Sequence, residues 1–153
     1  MTTAIDADAV STLSIRKEIV IDAPVDACFA AVLAEMGPES QMPGGQPFPM
    51  VLEARPGGRW FRDLGGGAGH LWGHVQVIKP PTLLEVCGPM FMSYPAVSHV
   101  QYRLAEEGPR TRLTLTHRAM GLIIDEHREG VSQGWHFMVE RVREIATRRA
   151  SGR

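Results

Sequence analysis

The last part of the chain, residues 130–149, has the pattern of one long amphipathic helix. Its apolar residues recur at steps of three and four positions and therefore share one helix face; they are Val131, Trp135, Met138, Val139, Val142, Ile145 and Ala146. Such a face must be covered by another element. The preceding segments alternate like half-buried antiparallel strands, so their sheet is the predicted partner. A curved sheet around a helix readily encloses a cavity, so the pattern predicts a cavity but does not identify a ligand.

Seven segments before this helix have the composition of strands, and one has that of a helix. The first strand is predicted over residues 13–21, and a helix follows because Asp22 and Pro24 are typical of helix starts. Gly37 and Pro38 end that helix. The remaining strands are predicted over residues 48–54, 59–64, 70–78, 83–87, 97–104 and 111–119. The order strand, helix, six strands, helix predicts an α+β fold in a single domain, residues 13–150, after a disordered tail, residues 1–12.

A glycine-rich segment, residues 65–69, separates the third and fourth predicted strands. Glycine-rich loops that bind phosphate lead into the N-terminus of a helix. This one leads from a strand into another strand. We therefore predict a hairpin tip rather than a phosphate site.

Composition and charge exclude several classes of function. The chain has 153 residues and a formal net charge of -1, so it carries no overall field that attracts nucleic acid. It contains no apolar run of the roughly 20 residues that a membrane-spanning helix needs, and its first residues lack the pattern of a secretory signal. Two cysteines, Cys28 and Cys87, are too few for a disulfide framework. These observations predict a cytoplasmic protein without membrane insertion.

Several short motifs, in this order, resemble one known superfamily. They are Ile19-x-Ile21-x-Ala23-Pro24 with Phe29, Pro56-Gly57-Gly58-Arg59-Trp60, Gly73-x-Val75-x-x-Ile78-x-Pro80-Pro81-x-x-Leu84-x-Val86, Thr111-x-Leu113-x-Leu115-x-His117 and Gly134-Trp135. The chain resembles the START-like or SRPBCC superfamily, which includes pollen-allergen-type carriers, polyketide cyclases and homologues of the heat-shock protein 90 ATPase activator. The activator-homologue branch fits best. The resemblance implies a helix-grip fold, in which a seven-stranded antiparallel sheet curves around a long C-terminal helix and leaves an elongated cavity.

His117 is the titratable residue of greatest interest in the predicted interior. It shares a strand face with Leu113 and Leu115, and this face is expected to meet the terminal helix. A histidine there could transfer a proton or donate a hydrogen bond to a ligand carbonyl, since its ordinary pKa lies near neutrality. It could equally be a structural histidine that bonds to backbone or to a neighbour such as Tyr102. His117 is thus a candidate catalytic residue, without an assigned role.

Aromatic and methionine side chains give a further indication of a binding site. They lie on strands, on a loop and on the terminal helix, at places that a helix-grip fold would bring together, and such side chains suit an adaptable apolar site. They could also simply fill the core. The predicted ligand-binding residues are Trp60, Phe91, Met92, Tyr102, Leu115, His117, Trp135 and Met138. The apolar loop of residues 90–94 would form either a lid or a contact in a homodimer.

The six histidines do not have the spacing of a metal site. His70 and His74 share one strand face but lie about 13 Å apart at 3.3 Å per residue, too far to bind one ion. They are expected on the water-facing side, opposite Leu71, Val75 and Val77. We therefore predict no metal and no cofactor.

The leading functional hypothesis is a binding module for a small, mostly apolar organic molecule, such as a lipid, a steroid or a polyketide-like compound. The superfamily resemblance also permits a cyclase or dehydratase, in which His117 would move a proton. A third hypothesis is an interaction module similar to the chaperone activators. That role predicts a filled interior and a large exposed apolar patch.

Overall fold

The computed structural model describes residues 9–152 and has the predicted α+β architecture. Its elements are β1 Ser11–Ile21, α1 Val25–Glu35, β2 Val51–Leu52, β3 Arg59–Gly65, β4 Ala68–Lys79, β5 Leu83–Gly88, β6 Ala96–Glu107, β7 Arg110–Gly121 and α2 His127–Ala150. The strands form one antiparallel sheet in the order β1-β7-β6-β5-β4-β3-β2. This curved, open sheet with its long C-terminal helix confirms the predicted helix-grip fold.

The first strand begins earlier than predicted. Ser11 and Thr12, which the sequence placed in a disordered tail, pair with Gly121 and Met120 at the end of β7. Both strands extend because their backbone groups bond to each other beyond the last apolar pair. The remainder of the predicted tail, residues 1–8, lies outside the described residues.

The second strand is shorter than predicted. Only Val51 and Leu52 pair with β3, opposite Phe61 and Trp60. Pro49 has no N–H to donate to a neighbouring strand, and after Leu52 the chain turns toward β3. The sequence showed the β-prone composition of residues 48–54 but not how few of them find a partner.

The glycine-rich segment forms the tip of the β3–β4 hairpin, as predicted. β3 ends at Gly65 and β4 begins at Ala68, so the connection consists of two residues. Gly66 and Gly67 have φ values of 62° and 82°. This left-handed conformation is costly for other residues but open to glycine, and it matches the twist of the hairpin strands.

The predicted facing of strand β4 is wrong over its first half. Leu71 was expected inside, but it is 42 % exposed, whereas Trp72 is only 7 % exposed. Trp60 pairs with Gly73 and Phe61 with Leu71, so Trp72 is an extra residue opposite β3. A bulge of this kind exchanges the two faces of a strand. It places the Trp72 indole in the core.

The terminal helix begins at His127, three residues before its predicted start, and buries the predicted face. Trp135, Val139, Val142 and Ile145 are among its buried residues, while Met138 is partly buried against the core. α2 packs against both α1 and β1. None of the helices in residues 9–152 combines the length and the apolar character that a membrane span requires.

Side chains of α2 also cover the free edge of β1. Arg128 Nη1 donates to the carbonyl of Thr12 at 2.8 Å, and Arg143 Nη2 donates to the carbonyl of Val20 at 3.2 Å. Lys17 of β1 donates to Ser132 of α2 at 3.0 Å. Unpaired edge groups otherwise favour association with other strands. These bonds fix α2 along the sheet and so determine where Trp135 lies.

Candidate functional site

His117 lies at the centre of a buried hydrogen-bonded chain. The indole Nε1 of Trp135 lies 2.7 Å from His117 Nδ1, and His117 Nε2 lies 2.9 Å from the hydroxyl of Ser98. An indole N–H can only donate, so Nδ1 must accept and the neutral ring must carry its proton on Nε2. The partners are Trp135 and Ser98 rather than the backbone or Tyr102, the alternatives considered from the sequence.

Burial lowers the pKa of His117 to about 4. The charged imidazolium loses its hydration in this apolar surrounding. Protonation of Nδ1 would also replace the acceptor of the Trp135 bond by a second donor. His117 is therefore neutral at pH 7, and both of its nitrogens are engaged within the protein.

Aromatic rings surround this chain on the inner face of the sheet. The Trp135 ring centroid lies 5.5 Å from that of His117, 6.4 Å from that of Tyr102 and 6.1 Å from that of Phe91. Phe91 also lies 5.4 Å from Trp72. Tilted and edge-to-face rings at such distances pack favourably. Rings from three strands, one loop and α2 thus form one cluster.

Trp60 extends the cluster toward α1. Its ring lies 5.0 Å from that of Trp72 in an edge-to-face arrangement. Its indole N–H donates to the carbonyl of Met36 at 2.7 Å, at the end of α1. Trp60 is thus fixed by a backbone partner.

The loop between β5 and β6, residues 89–95, folds inward and packs against the hydrophobic core of the protein. Met90 and Met92 are buried, and Phe91 is partly buried among Trp72, His117 and Trp135. Met90 has a φ of 57°, which is uncommon for a residue other than glycine, and its N–H donates to the Trp72 carbonyl at 2.8 Å. The loop therefore covers the aromatic cluster and fills part of the interior.

The structure brings most of the predicted site residues together. Trp135 contacts Tyr102, His117 and Phe91, His117 also contacts Phe91, and Leu115 is buried opposite Tyr102 in the β6–β7 register. The other three predicted residues lie farther out: Trp60 beside Trp72, Met92 buried in the loop, and Met138 at the margin of the core.

A buried acidic residue, Glu35, was not predicted. It ends α1 and is only 3 % exposed. Burial raises its pKa to about 8, although nearby Arg141 of α2 acts in the opposite direction. The Glu35 carboxyl is therefore mostly neutral at pH 7. Glu35 lies three positions after Val32 and seven after Cys28, on the buried face of α1, and this spacing could have revealed it.

Several buried polar atoms lack a hydrogen-bond partner among the described residues. They include the Tyr102 hydroxyl, Trp72 Nε1, Glu35 Oε1, Arg141 Nε and the Tyr94 hydroxyl. Burial, and the charge of Glu35 when ionised, raise the pKa of Tyr102 well above its usual value, so the phenol keeps its proton. Native proteins leave few such groups unpaired. The cluster thus presents Tyr102 O–H and Trp72 N–H as available donors.

Concave surfaces among residues 9–152 include three pockets that none of the rings of Trp72, Phe91, Tyr102, His117 and Trp135 lines. One of about 730 Å³ lies on the outer face of β1, β7, β6 and β5. One of about 650 Å³ lies along the β3–β4 hairpin, and one of about 270 Å³ lies beside Gln101 and Thr116. Within the described part of the chain, no group of three or more His, Cys, Asp or Glu residues is placed to hold a metal ion.

Structures of similar fold come from several bacterial proteins. An uncharacterized protein from Rhizobium leguminosarum has a TM-score of 0.69 and 18 % identity, covering 92 % of this chain and 97 % of the other. CalU16 from Micromonospora echinospora has a TM-score of 0.59 and 22 % identity, covering 94 % and 95 %. The di-domain ARO/CYC StfQ of the steffimycin biosynthetic pathway has a TM-score of 0.65 and 12 % identity, covering 98 % and 55 %. At these identities the similarity establishes the fold alone.

The sequence comparison is more specific. No curated protein sequence matches this chain. The family model described as Activator of Hsp90 ATPase homolog 1-like protein matches residues 46–147, more than half of the chain. That span runs from the connector before β2 into α2 and includes His117, Tyr102 and Trp135. The chain therefore belongs to the Activator of Hsp90 ATPase homolog 1-like family.

Proposed function

We propose that this protein binds a small, mostly apolar organic molecule between the inner face of its sheet and α2, beneath the loop of residues 89–95. The observation that carries the proposal is the pair of buried donors without acceptors, Tyr102 O–H and Trp72 N–H, inside an aromatic cluster. An unpaired buried polar group costs about 1–3 kcal/mol. A ligand oxygen atom bonded to either donor would recover part of that cost.

The surroundings of these donors define the rest of the ligand. Trp135, Phe91, Leu115 and Trp72 present apolar surface, and apolar pockets with a few placed polar groups are typical of small-molecule sites. The ligand is thus a lipid, a steroid or a polyketide-like molecule that carries at least one hydroxyl or carbonyl oxygen. The fold shared with StfQ, a protein of a biosynthetic pathway, supports this class.

Phe91 occupies part of the space that a ligand needs. It comes from a loop, whereas its neighbours Trp72, His117 and Trp135 come from the sheet and α2. Displacement of one loop side chain costs less than separation of α2 from the sheet, because fewer contacts are lost. Ligand entry therefore proceeds by displacement of the Phe91 side chain.

Proton transfer by His117, the cyclase or dehydratase hypothesis, gains no support from this geometry. A general base needs a free lone pair directed at its substrate, and the Nδ1 lone pair of His117 accepts from Trp135. The Nε2 atom is engaged with Ser98. We assign His117 the role of positioning Trp135.

An interaction role similar to the chaperone activators is the second candidate. It predicted a filled interior, and Phe91, Met90 and Met92 do fill the interior under the loop. The two candidates differ in what happens when an apolar molecule is offered. A binding protein accepts it inside the cluster, whereas an interaction module does not.

The proposal is tested with the neutral, apolar fluorophore N-phenyl-1-naphthylamine. All three tryptophans are buried, and Trp72 and Trp135 both lie beside Phe91. We expect energy transfer from tryptophan to the bound probe. Phe91→Ala is expected to bind the probe more tightly than the natural protein, because the truncation vacates space beside both indoles.

Phe61→Ala is the matched control. Phe61 lies on β3 beside Arg59, whose guanidinium carbon is 4.7 Å from its ring centroid, and it is not part of the cluster. This control should bind like the natural protein. Absence of energy transfer in all three proteins, or equal affinity of the Phe91→Ala and Phe61→Ala variants, would contradict the proposal and favour the interaction role.

A further inference from the structure

A pocket formed by residues of β1, β5, β6 and β7 lies on the outer face of the sheet, opposite the aromatic cluster. Its volume, about 730 Å³, falls in the range of small-molecule sites. It is formed by side chains of four neighbouring strands, so its floor is fixed by sheet hydrogen bonds. The smaller pocket of about 270 Å³ shares His99 and Arg118 with it, so Arg118 lies between two concave surfaces.

The strand register arranges this pocket in two parallel rows. In the first row, Thr12 pairs with Met120 and Met120 pairs with Val97. Met120 is 57 % exposed and Val97 is 62 % exposed, so this row presents apolar surface to water. Adjacent large apolar side chains on an outer sheet face favour contact with an apolar group.

The second row is polar and cationic. Ser14 pairs with Arg118, and Arg118 pairs with His99. Arg118 is exposed, and within residues 9–152 it makes no ion pair and no side-chain hydrogen bond. The hydroxyl of Ser14 lies on the same outer face as a neutral donor.

Glu85, the acidic residue closest to Arg118 in the strand register, already has hydrogen-bond partners of its own. Glu85 lies on β5, two positions before Cys87, which pairs with His99. Its carboxylate accepts from Gln101 at 2.7 Å and lies 3.4 Å from His99 Nε2. Arg112, on the same strand and face as Arg118, pairs by contrast with Glu18 and Glu107. The positive charge of Arg118 is thus uncompensated beside an apolar row.

We infer that this outer-face pocket binds an organic acid, with the carboxylate at Arg118 and Ser14 and the apolar body over Met120 and Val97. A guanidinium and a hydroxyl suit a carboxylate, because both donate hydrogen bonds and the first is always charged. A fully polar anion would leave the apolar row exposed, and a neutral apolar molecule would leave Arg118 unpaired. The side chains of Ser14, Val97, Arg118 and Met120 alternate with the buried Leu13, Ser98 and Ala119, so they face the side of the sheet opposite the aromatic cluster.

The test is a titration with 1-naphthoate, followed by ¹⁵N–¹H NMR at low salt. We expect chemical-shift changes centred on Thr12, Val97, Arg118 and Met120, and none at the Trp135 indole. Neutral 1-naphthamide should cause much smaller changes at the same residues. The affinity for 1-naphthoate should also fall as salt is added, since the interaction is exposed and charged.

Arg118→Gln is expected to weaken 1-naphthoate binding about fivefold, as for loss of one exposed charged contact. Arg112→Gln removes an arginine that lies on the same strand and face but outside the pocket. The affinity of this variant for 1-naphthoate should equal that of the natural protein. Equal binding of the acid and the amide, or equal loss in the two variants, would overturn the inference. Chemical-shift changes at these residues that depend on protein concentration in the absence of ligand would also overturn the inference. They would identify the pocket as a contact between two copies of the chain.

Discussion

His117 and Arg118 are neighbours on β7, yet they face opposite sides of the sheet and differ in burial, charge and hydrogen bonding. On the inner face, His117 is buried, neutral and bonded to Trp135 and Ser98. On the outer face, Arg118 is exposed and charged. Burial removes the hydration that a charged His117 would need and so lowers its pKa, whereas the Arg118 guanidinium remains in water.

The same contrast extends along the two faces. Inside, Tyr102 keeps its phenol proton, and Glu35, where α1 packs on β6, is mostly neutral. Outside, Arg112 forms ion pairs with Glu18 and Glu107. Buried polar groups therefore change stability through protonation, whereas exposed pairs change it through screened attraction.

The largest effect is expected at Glu35. Its pKa is about 8 in the folded protein and 4.5 as the reference value, so the folded state binds more protons between these pH values. The free energy of unfolding should then fall as pH rises, by on the order of 4 kcal/mol from pH 5 to pH 8. Urea unfolding at several pH values measures it. Glu35→Gln should remove this decline.

A control for Glu35→Gln is the exposed Glu144→Gln on α2, whose partner is also Arg141. Its pH profile should follow that of the natural protein. If Glu35→Gln left the decline between pH 5 and pH 8 intact, the carboxyl of Glu35 would be ionised at pH 7 and the inner face would hold a true buried ion pair.

His117 should change the free energy of unfolding in the opposite direction with pH, and by a somewhat smaller amount. Its pKa is lowered from 6.5 to about 4, so the unfolded state binds more protons between these values. Stability from this residue is complete above pH 6.5 and is lost as pH falls toward 4, by about 3 kcal/mol. His117→Gln should flatten this part of the urea-unfolding profile. An equally steep acid loss in the variant would show that other groups cause it.

The inner face could be predicted from the sequence wherever its periodicity is regular. The spacing of Trp135, Val139 and Val142 predicted the buried side of α2, and the alternation through Leu113 and Leu115 placed His117 inside. These patterns depend only on the geometry of a helix or a strand. The helix-grip arrangement then predicted that Tyr102, Phe91, His117 and Trp135 lie near one another.

The features that the sequence did not predict depend mainly on interactions between distant segments. The bulge that turns Trp72 inward arises because its ring packs against Trp60 and Phe91, and no local pattern reports that contact. Glu35 was missed because charged residues are normally exposed. The outer pocket was missed for a related reason, since the rows through Met120 and Arg118 exist only once three strands are in register.

The smallest effect is expected on the outer face, at Arg112. Its pairs with Glu18 and Glu107 are partly exposed. Exposed pairs are screened by water and salt, so Arg112→Gln should lower the free energy of unfolding only slightly, and by still less in high salt. Urea unfolding at low and high salt measures both. A salt-independent loss as large as that expected for His117 would show that the outer face, like the inner one, is stabilised by desolvated groups, and the contrast between the faces would fail.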